Sequence, residues 1–352
     1  MSQTVLNRLQ RATSSLPGGP AIKRRLQNNA TACGMTYWLS TLQDQPGFQI
    51  VRYHRVVDRS DPYYETGWSL SVRAELFESQ LQLFRRFCAV LSLDEIFDRI
   101  DRGRRLPPRC VALTFDDGYR DTATIAWPLL QRYRLPATLY LAVDALERGY
   151  LWHDLLRHAI RTTTHGHLTL KTFEEPRVFP LTTDAERLSA VRELDERFRR
   201  VREAEKWRLL DDLVWTLLDT PTHDIMIPGL MMRWDEARRL AREGLTIGAH
   251  TVTHPILTRL PEDDALDEVT RSQRILQERL QAPIRHFAYP NGQPGDFAVA
   301  LQQRIEAAGF RSACTAVAGI NQPCDDRFLL KRIDGNRSSL RVLVRLLAGT
   351  ES

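Results

Sequence analysis

Two continuous apolar segments constrain the fold more than any other feature of this sequence. They are Cys110–Phe115 and Ala137–Val143, and a segment with helical periodicity, Ala123–Tyr133, lies between them. A strand that is apolar on both faces is typical of a parallel sheet covered on both sides. Alternating strands and helices predict such a sheet with right-handed crossovers. We therefore predict an α/β fold.

The strand–helix alternation is interrupted once and then resumes. Residues from about 145 to 232 are rich in Arg and Glu and are too many for a simple connection. We predict that they form a helical insertion. The alternation continues from Trp234–Arg242 to Phe328–Ile333, so one domain is expected to cover residues 46–352.

The charge of the chain is concentrated at one end. The sequence has 49 Lys and Arg against 44 Asp and Glu, a net charge of +5, and five of the basic residues but one acid lie in the first 50 positions. We predict a basic N-terminal extension (residues 1–45) on a nearly neutral domain, and no nucleic-acid partner. The extension is either simply solvated or contacts an anionic membrane surface. The first 30 residues contain no apolar run typical of a signal peptide, so we expect a cytoplasmic protein, which would be membrane-peripheral if the extension makes that contact.

Two adjacent carboxylates follow the first buried strand. Asp116 and Asp117 precede Gly118, where the backbone must turn. The carboxyl ends of parallel strands are where ligands bind in α/β proteins, which favours a functional role. The alternative is that one of the two acids caps the next helix.

A pair of histidines follows another predicted strand. His250 and His254 are four residues apart and can converge on one cation, although either can also be a structural histidine. Together the two segments offer two His and one Asp as ligands, with one Asp left over. This is the composition of a catalytic metal site with open positions for water and a separate general base.

The segments TFDDGY (Thr114–Tyr119) and HTVTH (His250–His254) resemble the polysaccharide deacetylase family, also called the NodB homology or carbohydrate esterase 4 family. The resemblance covers roughly residues 48–335. It implies a distorted (β/α)7-type barrel and metal-dependent removal of N-acetyl, sometimes O-acetyl, groups from sugars. It also implies that Asp117, His250 and His254 hold a divalent metal ion and that Asp116 is the catalytic base. We expect Zn²⁺, with Co²⁺ or Ni²⁺ as alternatives.

The third family motif is altered in this chain. Where the family has Phe-Arg-x-Pro-Tyr-Gly, the sequence has Ala288 in place of the Arg and Asn291 in place of the Tyr. The family Arg orients the catalytic Asp, and Arg285 and Arg332 are the candidates to replace it. Tyr289 and the Asn291 backbone N–H are predicted to contact the substrate oxyanion. The alternative for this segment is a plain turn.

The family's late Leu-x-His motif is absent, and a Tyr-His pair near the start resembles the substitute found in some members. His54 is therefore predicted to protonate the leaving amine, and its alternative is a structural histidine. Asp334 and Trp152 are predicted to contact substrate. The alternative for Asp334 is that it orients another group, and helix packing would explain Trp152 equally well.

We expect a deacetylase acting on an N-acetylated sugar, glycan or glycan precursor. The first alternative is a C–N hydrolase acting on a non-sugar amide, which the same metal chemistry suits. The second is a catalytically silent glycan-binding protein, which the altered motifs would allow.

Overall fold

The computed structural model describes residues 47–59, 61, 70–170 and 177–336. The predicted N-terminal extension, residues 1–45, lies outside these ranges. The strands are β1 (Phe48–Tyr53), β2 (Arg55–Val57), β3 (Ser71–Arg73), β4 (Ala89–Val90), β5 (Cys110–Phe115), β6 (Thr138–Leu141), β7 (His167–Leu170), β8 (Arg177–Pro180), β9 (Thr246–Ala249), β10 (His286–Ala288), β11 (Ser312–Cys314) and β12 (Ile333–Asp334). The α-helices are α1 (Ala74–Phe87), α2 (Leu93–Asp101), α3 (Trp127–Tyr133), α4 (Val143–Arg148), α5 (Trp152–Thr162), α6 (Asp184–Phe198), α7 (Glu203–Leu218), α8 (Trp234–Arg242), α9 (Glu262–Leu280) and α10 (Val299–Ala307).

The main sheet is a parallel path of strands that curls until its two ends meet. Its order is β11-β10-β9-β6-β5-β1-β12. A bridge between Cys314 of β11 and Leu330, just before β12, joins the two ends, and the Thr315 N–H donates to the Leu330 carbonyl at 2.8 Å. Strand β4 pairs with β5 beside this path. These pairings confirm the distorted (β/α) barrel with seven strands in its ring.

The interior of the barrel is filled with apolar side chains at its amino-terminal end. Phe48 and Cys110 lie at the beginnings of β1 and β5 and pack with Phe97 of α2. Higher in the barrel, the same cluster includes Ile50, Ala112, Tyr140, Ala288, Cys314 and Leu330. This apolar cluster fills the amino-terminal end of the barrel. Polar side chains at the strand ends can therefore gather only at the carboxyl-terminal mouth.

The helices of the barrel cover the outer face of the sheet. In α9, Ala265, Val269, Leu276 and Leu280 are buried and recur at helical spacing, while most of the remaining side chains are charged. Strand β5 is buried along its whole length because it has this helical layer on one side and the barrel interior on the other.

The insertion has an apolar core of its own. Helices α5, α6 and α7 supply most of this core, and Tyr119 and Ala142 connect it to the barrel. The structure departs from the predicted all-helical insertion in one respect, since β7 and β8 form an antiparallel ribbon within it. In β7 the exposed His167 and Thr169 alternate with the buried Leu168 and Leu170, which is a strand period rather than a helical one.

Within the described part of the chain, no helix combines the length and the apolar character that crossing a membrane requires.

Candidate active site

The predicted site residues converge on one cleft at the carboxyl-terminal mouth of the barrel. The cleft has a volume of about 170 Å³. Its lining includes nearly all of the predicted residues, namely His54, Asp116, Asp117, Trp152, His250, His254, Tyr289 and Asn291. These residues come from the ends of β1, β5, β9 and β10 and from the first turn of α5, so a single edge of the barrel assembles segments far apart in sequence.

Three donor atoms lie together in this cleft. The Asp117 Oδ1 is 3.4 Å from the His250 Nε2 and 3.3 Å from the His254 Nε2, and the three donor atoms all lie within 4.8 Å of one another. Zinc–ligand bonds of about 2.0–2.1 Å in a tetrahedral arrangement place neighbouring donors about 3.3–3.4 Å apart. The two short distances therefore fit a single divalent cation held by these three side chains.

Hydrogen bonding orients the first histidine for this purpose. The His250 Nδ1 lies 2.7 Å from the Ala288 carbonyl oxygen, which can only accept, so Nδ1 carries the proton. The lone pair of His250 is therefore on Nε2, which faces Asp117. The loop to His254 is fixed by Glu268, whose carboxylate accepts from the Val252 and Thr253 N–H groups at 2.8 and 2.9 Å.

Four residues around the site have left-handed backbone conformations. Their φ angles are +77° at Asp117, +66° at Thr251, +61° at His254 and +59° at Asn291. This conformation costs a non-glycine residue free energy, and such residues cluster at functional sites. Two of these four residues, Asp117 and His254, carry donor atoms of the group in the cleft.

The adjacent carboxylate of Asp116 is not part of this donor group. Arg332 binds it through two hydrogen bonds, from Nη1 to Oδ1 at 2.7 Å and from Nη2 to Oδ2 at 2.9 Å. The Arg332 Nε donates to the Thr315 carbonyl at 2.7 Å, which fixes the guanidinium. Burial alone would raise the pKa of Asp116, but Arg332, together with His250 and His54, outweighs burial and the pKa is lowered.

Arg332 is thus the arginine that orients Asp116. The sequence had offered Arg285 and Arg332 as candidates. The other candidate, Arg285, is half-exposed and pairs with Asp94, away from the cleft. Asp117 is also ionised. Burial raises its pKa, but the two histidines that face it, His250 and His254, outweigh this effect and hold the pKa well below its usual range.

His54 lies on the other side of Asp116. Its Nε2 is 3.8 Å from the Asp116 Oδ2, and its Nδ1 is buried without a hydrogen-bond partner among the described residues. Burial lowers the pKa of His54 to about 4, although Asp117 and Asp116 oppose this shift. The ring is therefore neutral at pH 7 in this structure, so it must take up a proton before it can donate one.

The altered third motif forms the opposite wall. The Asn291 N–H has no acceptor among the described residues, and its side chain accepts from Arg199 and donates to Asp296. The Tyr289 ring is 1% exposed and stacks on Phe297, so its side chain belongs to the core. Tyr289 nevertheless lines the cleft, and its hydroxyl is buried without a hydrogen-bond partner among the described residues.

Two predicted substrate contacts lie at the edge of the site. The Trp152 ring stacks on Phe198 of the insertion, with the Lys206 ammonium 4.9 Å from the ring centroid, so helix packing explains most of its position. Asp334 pairs in register with Arg52 and accepts from the Asn336 N–H, and it is not among the residues that line the cleft.

The sequence alone did not indicate two arginines of the site. Arg52 and Arg199 both line the cleft. Arg52 lies two residues before His54, so strand periodicity could have placed both on one face. Arg199 reaches the site from the end of α6, and no sequence signal connects it with a loop 92 residues away.

Comparison with known proteins agrees with this geometry. The family model for polysaccharide deacetylase matches residues 103–313, which is more than half of the 352-residue chain. The match includes Asp116, Asp117, His250 and His254. It ends before Arg332 and begins after His54, so the places of these two residues in the site rest on the structure.

Two curated relatives share shorter stretches with the chain. YxkH of Bacillus subtilis, which carries a provisional name as a polysaccharide deacetylase, is 26% identical over 144 residues, covering 38% of this chain and 47% of that protein. The poly-β-1,6-N-acetyl-D-glucosamine N-deacetylase of Escherichia coli K12 is 33% identical over 104 residues, covering 28% of this chain and 15% of that protein. The chain therefore matches less than half the length of either relative.

Solved structures share the fold over most of the chain. The deacetylase PplD of Streptococcus pyogenes, solved in complex with acetate, has a TM-score of 0.57 and 18% identity, with 88% of this chain and all of that chain covered. IcaB of Ammonifex degensii has a TM-score of 0.55 and 19% identity, with 87% and 100% covered. With the family match over residues 103–313 and the barrel that these structures share, the chain belongs to the polysaccharide deacetylase family.

Proposed function

We propose that this cleft hydrolyses the N-acetyl amide of a sugar polymer or of its precursor, with a divalent cation held by Asp117, His250 and His254. One observation carries the proposal: an ionised carboxylate, Asp116, lies beside a three-donor group without belonging to it. A site with three protein ligands and a separate base is the composition of a hydrolytic metal centre. Its two nitrogen donors and one oxygen donor suit Zn²⁺, Co²⁺ or Ni²⁺.

The bound cation would polarise the amide carbonyl and lower the pKa of a coordinated water. Asp116 is placed to accept the proton of the attacking water, because Arg332 holds both of its oxygens in one orientation. The same guanidinium keeps Asp116 ionised despite its burial, so it is ready to accept a proton at neutral pH.

His54 completes the proton transfer. Its Nε2 lies 3.8 Å from Asp116, so a small movement would let the proton pass from the carboxyl to the neutral ring. The resulting imidazolium can then protonate the nitrogen of the leaving amine as the C–N bond breaks. The proton taken from water thus reaches the amine, and acetate and a free amino sugar are the products.

The loop at Asn291 would bind the negative charge that develops on the carbonyl oxygen. Asn291 lines the cleft, and its N–H has no acceptor among the described residues. A backbone donor fixed before the reaction stabilises an oxyanion without reorganisation. The left-handed conformation of Asn291 and its two side-chain hydrogen bonds fix this donor.

The substrate class is proposed from the relatives and the cleft. The Escherichia coli relative is named as a deacetylase of poly-β-1,6-N-acetyl-D-glucosamine, which favours an N-acetylated glucosamine unit as the substrate of this chain. A catalytically silent glycan-binding protein would need neither the Asp116–Arg332 pair nor a neutral histidine beside it, so the retained proton-transfer groups favour an enzyme.

The decisive experiment is acetate release from N-acetylglucosamine oligomers by the zinc-loaded protein. Asp116→Asn removes the base and should lower kcat by about 10²–10⁴-fold. Asp263→Asn, at an exposed position of α9, is the matched control and should retain the wild-type rate. If acetylated sugars gave no acetate and non-sugar amides were cleaved, the substrate class would be wrong. If nothing were cleaved and Asp116→Asn still bound glycan normally, the protein would be a binding module.

A further inference from the structure

One arginine in the cleft is not used by the proposed reaction. Arg52 lies on β1 two residues before His54, and the alternation of a strand directs both side chains to the same face. Both residues line the cleft together with Arg332. Arg52 therefore adds a second guanidinium to the mouth of the barrel, next to the one that holds Asp116.

Arg52 has no ionic partner in the described part of the chain. No carboxylate oxygen there lies within 4.0 Å of its guanidinium, and its Nε is buried without a hydrogen-bond partner. Its cross-strand neighbour, Asp334, accepts a hydrogen bond from the Asn336 N–H. A buried guanidinium nitrogen without a hydrogen-bond partner is costly, so it is expected where a ligand will supply the missing acceptor.

The other charges of the cleft are already compensated. Asp116 is bound by Arg332, and Arg199 is paired with Asp195 at 3.0 Å. Asp117 faces the two histidines and would be neutralised further by a divalent cation. Asp116, Asp334 and Asp117 lie near enough to favour the charged form of Arg52, but none of them pairs with it, and with a divalent cation present the charges that line the cleft sum to a positive value.

We propose that Arg52 binds an anionic group of the substrate, a carboxylate or a phosphate carried by the acetylated sugar or by its neighbour in the chain. This inference rests on the proposed function only for the position of the sugar. A guanidinium presents donors in a planar fork that matches both groups, and charge-assisted pairs of this kind are strong. Arg52 would thus select an acidic glycan over a neutral one.

A purely electrostatic role towards Asp116 would explain Arg52 less well. Arg332 already donates to both oxygens of that carboxylate, whereas Arg52 donates to neither. If Arg52 acted only on Asp116, its loss would affect neutral and anionic ligands equally. The ratio of the two affinities therefore separates the explanations.

The test is calorimetric binding to the chelator-treated protein, which needs neither metal nor turnover. The ligands are N-acetylglucosamine, its 6-phosphate, and the corresponding sugar with a carboxylate at C6. A hydrogen-bonded ion pair is worth about 1.5–3 kcal/mol, so at least one anionic sugar should bind about 10–100-fold more tightly than the neutral sugar. Which of them does so identifies the anion as phosphate or carboxylate.

The variants assign this preference to one side chain. Arg52→Gln should bring the affinity ratio close to one, and Arg52→Lys, which keeps the charge but loses the fork, should retain part of it. Arg285→Gln is the matched control, because Arg285 pairs with Asp94 outside the cleft and should keep the full ratio. Circular dichroism of each variant verifies that it is folded.

Two results would overturn the inference: equal binding of neutral and anionic sugars by the wild type, or an unchanged preference in Arg52→Gln and Arg52→Lys. Failure of the proposed function has a different signature. If anionic sugars were preferred through Arg52 but no acetate were released from them, the anion site would stand and the deacetylase assignment would fall.

Discussion

The pair formed by Arg332 and Asp116 allows a quantitative test of the site. Both residues are 2% exposed, and they share two hydrogen bonds of 2.7 and 2.9 Å. Arg332→Met keeps much of the side-chain volume and leaves the carboxylate buried without its cation. Removing one partner of a buried pair costs about 3–5 kcal/mol. We therefore expect the free energy of unfolding in urea to fall by about that amount.

The same substitution should change the pH dependence in a defined direction. In the wild type the pKa of Asp116 is lowered, so its contribution to stability is present above the unfolded-state pKa and is lost as the pH falls through the folded-state pKa. Without Arg332, burial dominates and raises this pKa. The variant should then become more stable on mild acidification, and the acid limb of its acetate-release profile should move to higher pH.

Two further variants make this reasoning refutable. The double variant Arg332→Met/Asp116→Asn carries no buried unpaired charge, so it should recover part of the lost stability and none of the activity. Arg285→Met breaks an exposed pair and should cost less than about 1 kcal/mol. The reasoning would be refuted if Arg332→Met unfolded like the wild type, or if the double variant were no more stable than the single one. Either result would mean that the pair does not stabilise the fold as its geometry predicts.

Removal of the cation tests the donor group: zinc should raise the melting temperature of the chelated wild type, and Asp117→Asn should abolish this shift, whereas a retained shift would place the cation elsewhere. Acid titration tests His54, whose folded-state pKa of about 4 lies below the unfolded value of 6.5. The unfolded state is protonated first, so the chelated wild type should lose about 3 kcal/mol of unfolding free energy between pH 7 and 4 from this residue. His54→Gln should lose correspondingly less over this range, and an identical loss would contradict the burial argument. Arg199→Ala should lower kcat about tenfold with little change in KM, because it loosens the Asn291 loop, while the exposed Arg200→Ala should not. Equal effects of the two variants would exclude a specific positioning role for Arg199.

The barrel was predictable because its central strands are apolar on both faces. Strand β5 carries that signal in six consecutive residues, and its neighbours in the ring follow the same strand–helix rhythm. The closing strands are much weaker signals. Strand β12 has two residues, and the pairing of Leu330 with Cys314 that closes the ring is a tertiary contact. The β7–β8 ribbon was missed because its short alternating segments lie within a charged, largely helical stretch.

The site was predictable where its residues form local motifs. Asp116, Asp117, His250 and His254 lie in short segments at strand ends, and topology brings such ends to one edge. Arg332 was one of two candidates, and only the barrel geometry separates it from Arg285. The contact of Arg199 with Asn291 depends on how the insertion packs over the mouth, which is a tertiary property without a sequence pattern.

Ala288 stands where the family has an arginine, and Arg332 provides the guanidinium that contacts Asp116. Ala288 packs in the barrel interior, and its carbonyl orients His250. Strand β10 therefore still contributes a backbone acceptor to the site. The guanidinium comes instead from Arg332, the residue before β12, whose side chain reaches Asp116. The altered motif is therefore no evidence for a silent protein, because Arg332 supplies the guanidinium beside Asp116 that the motif itself lacks.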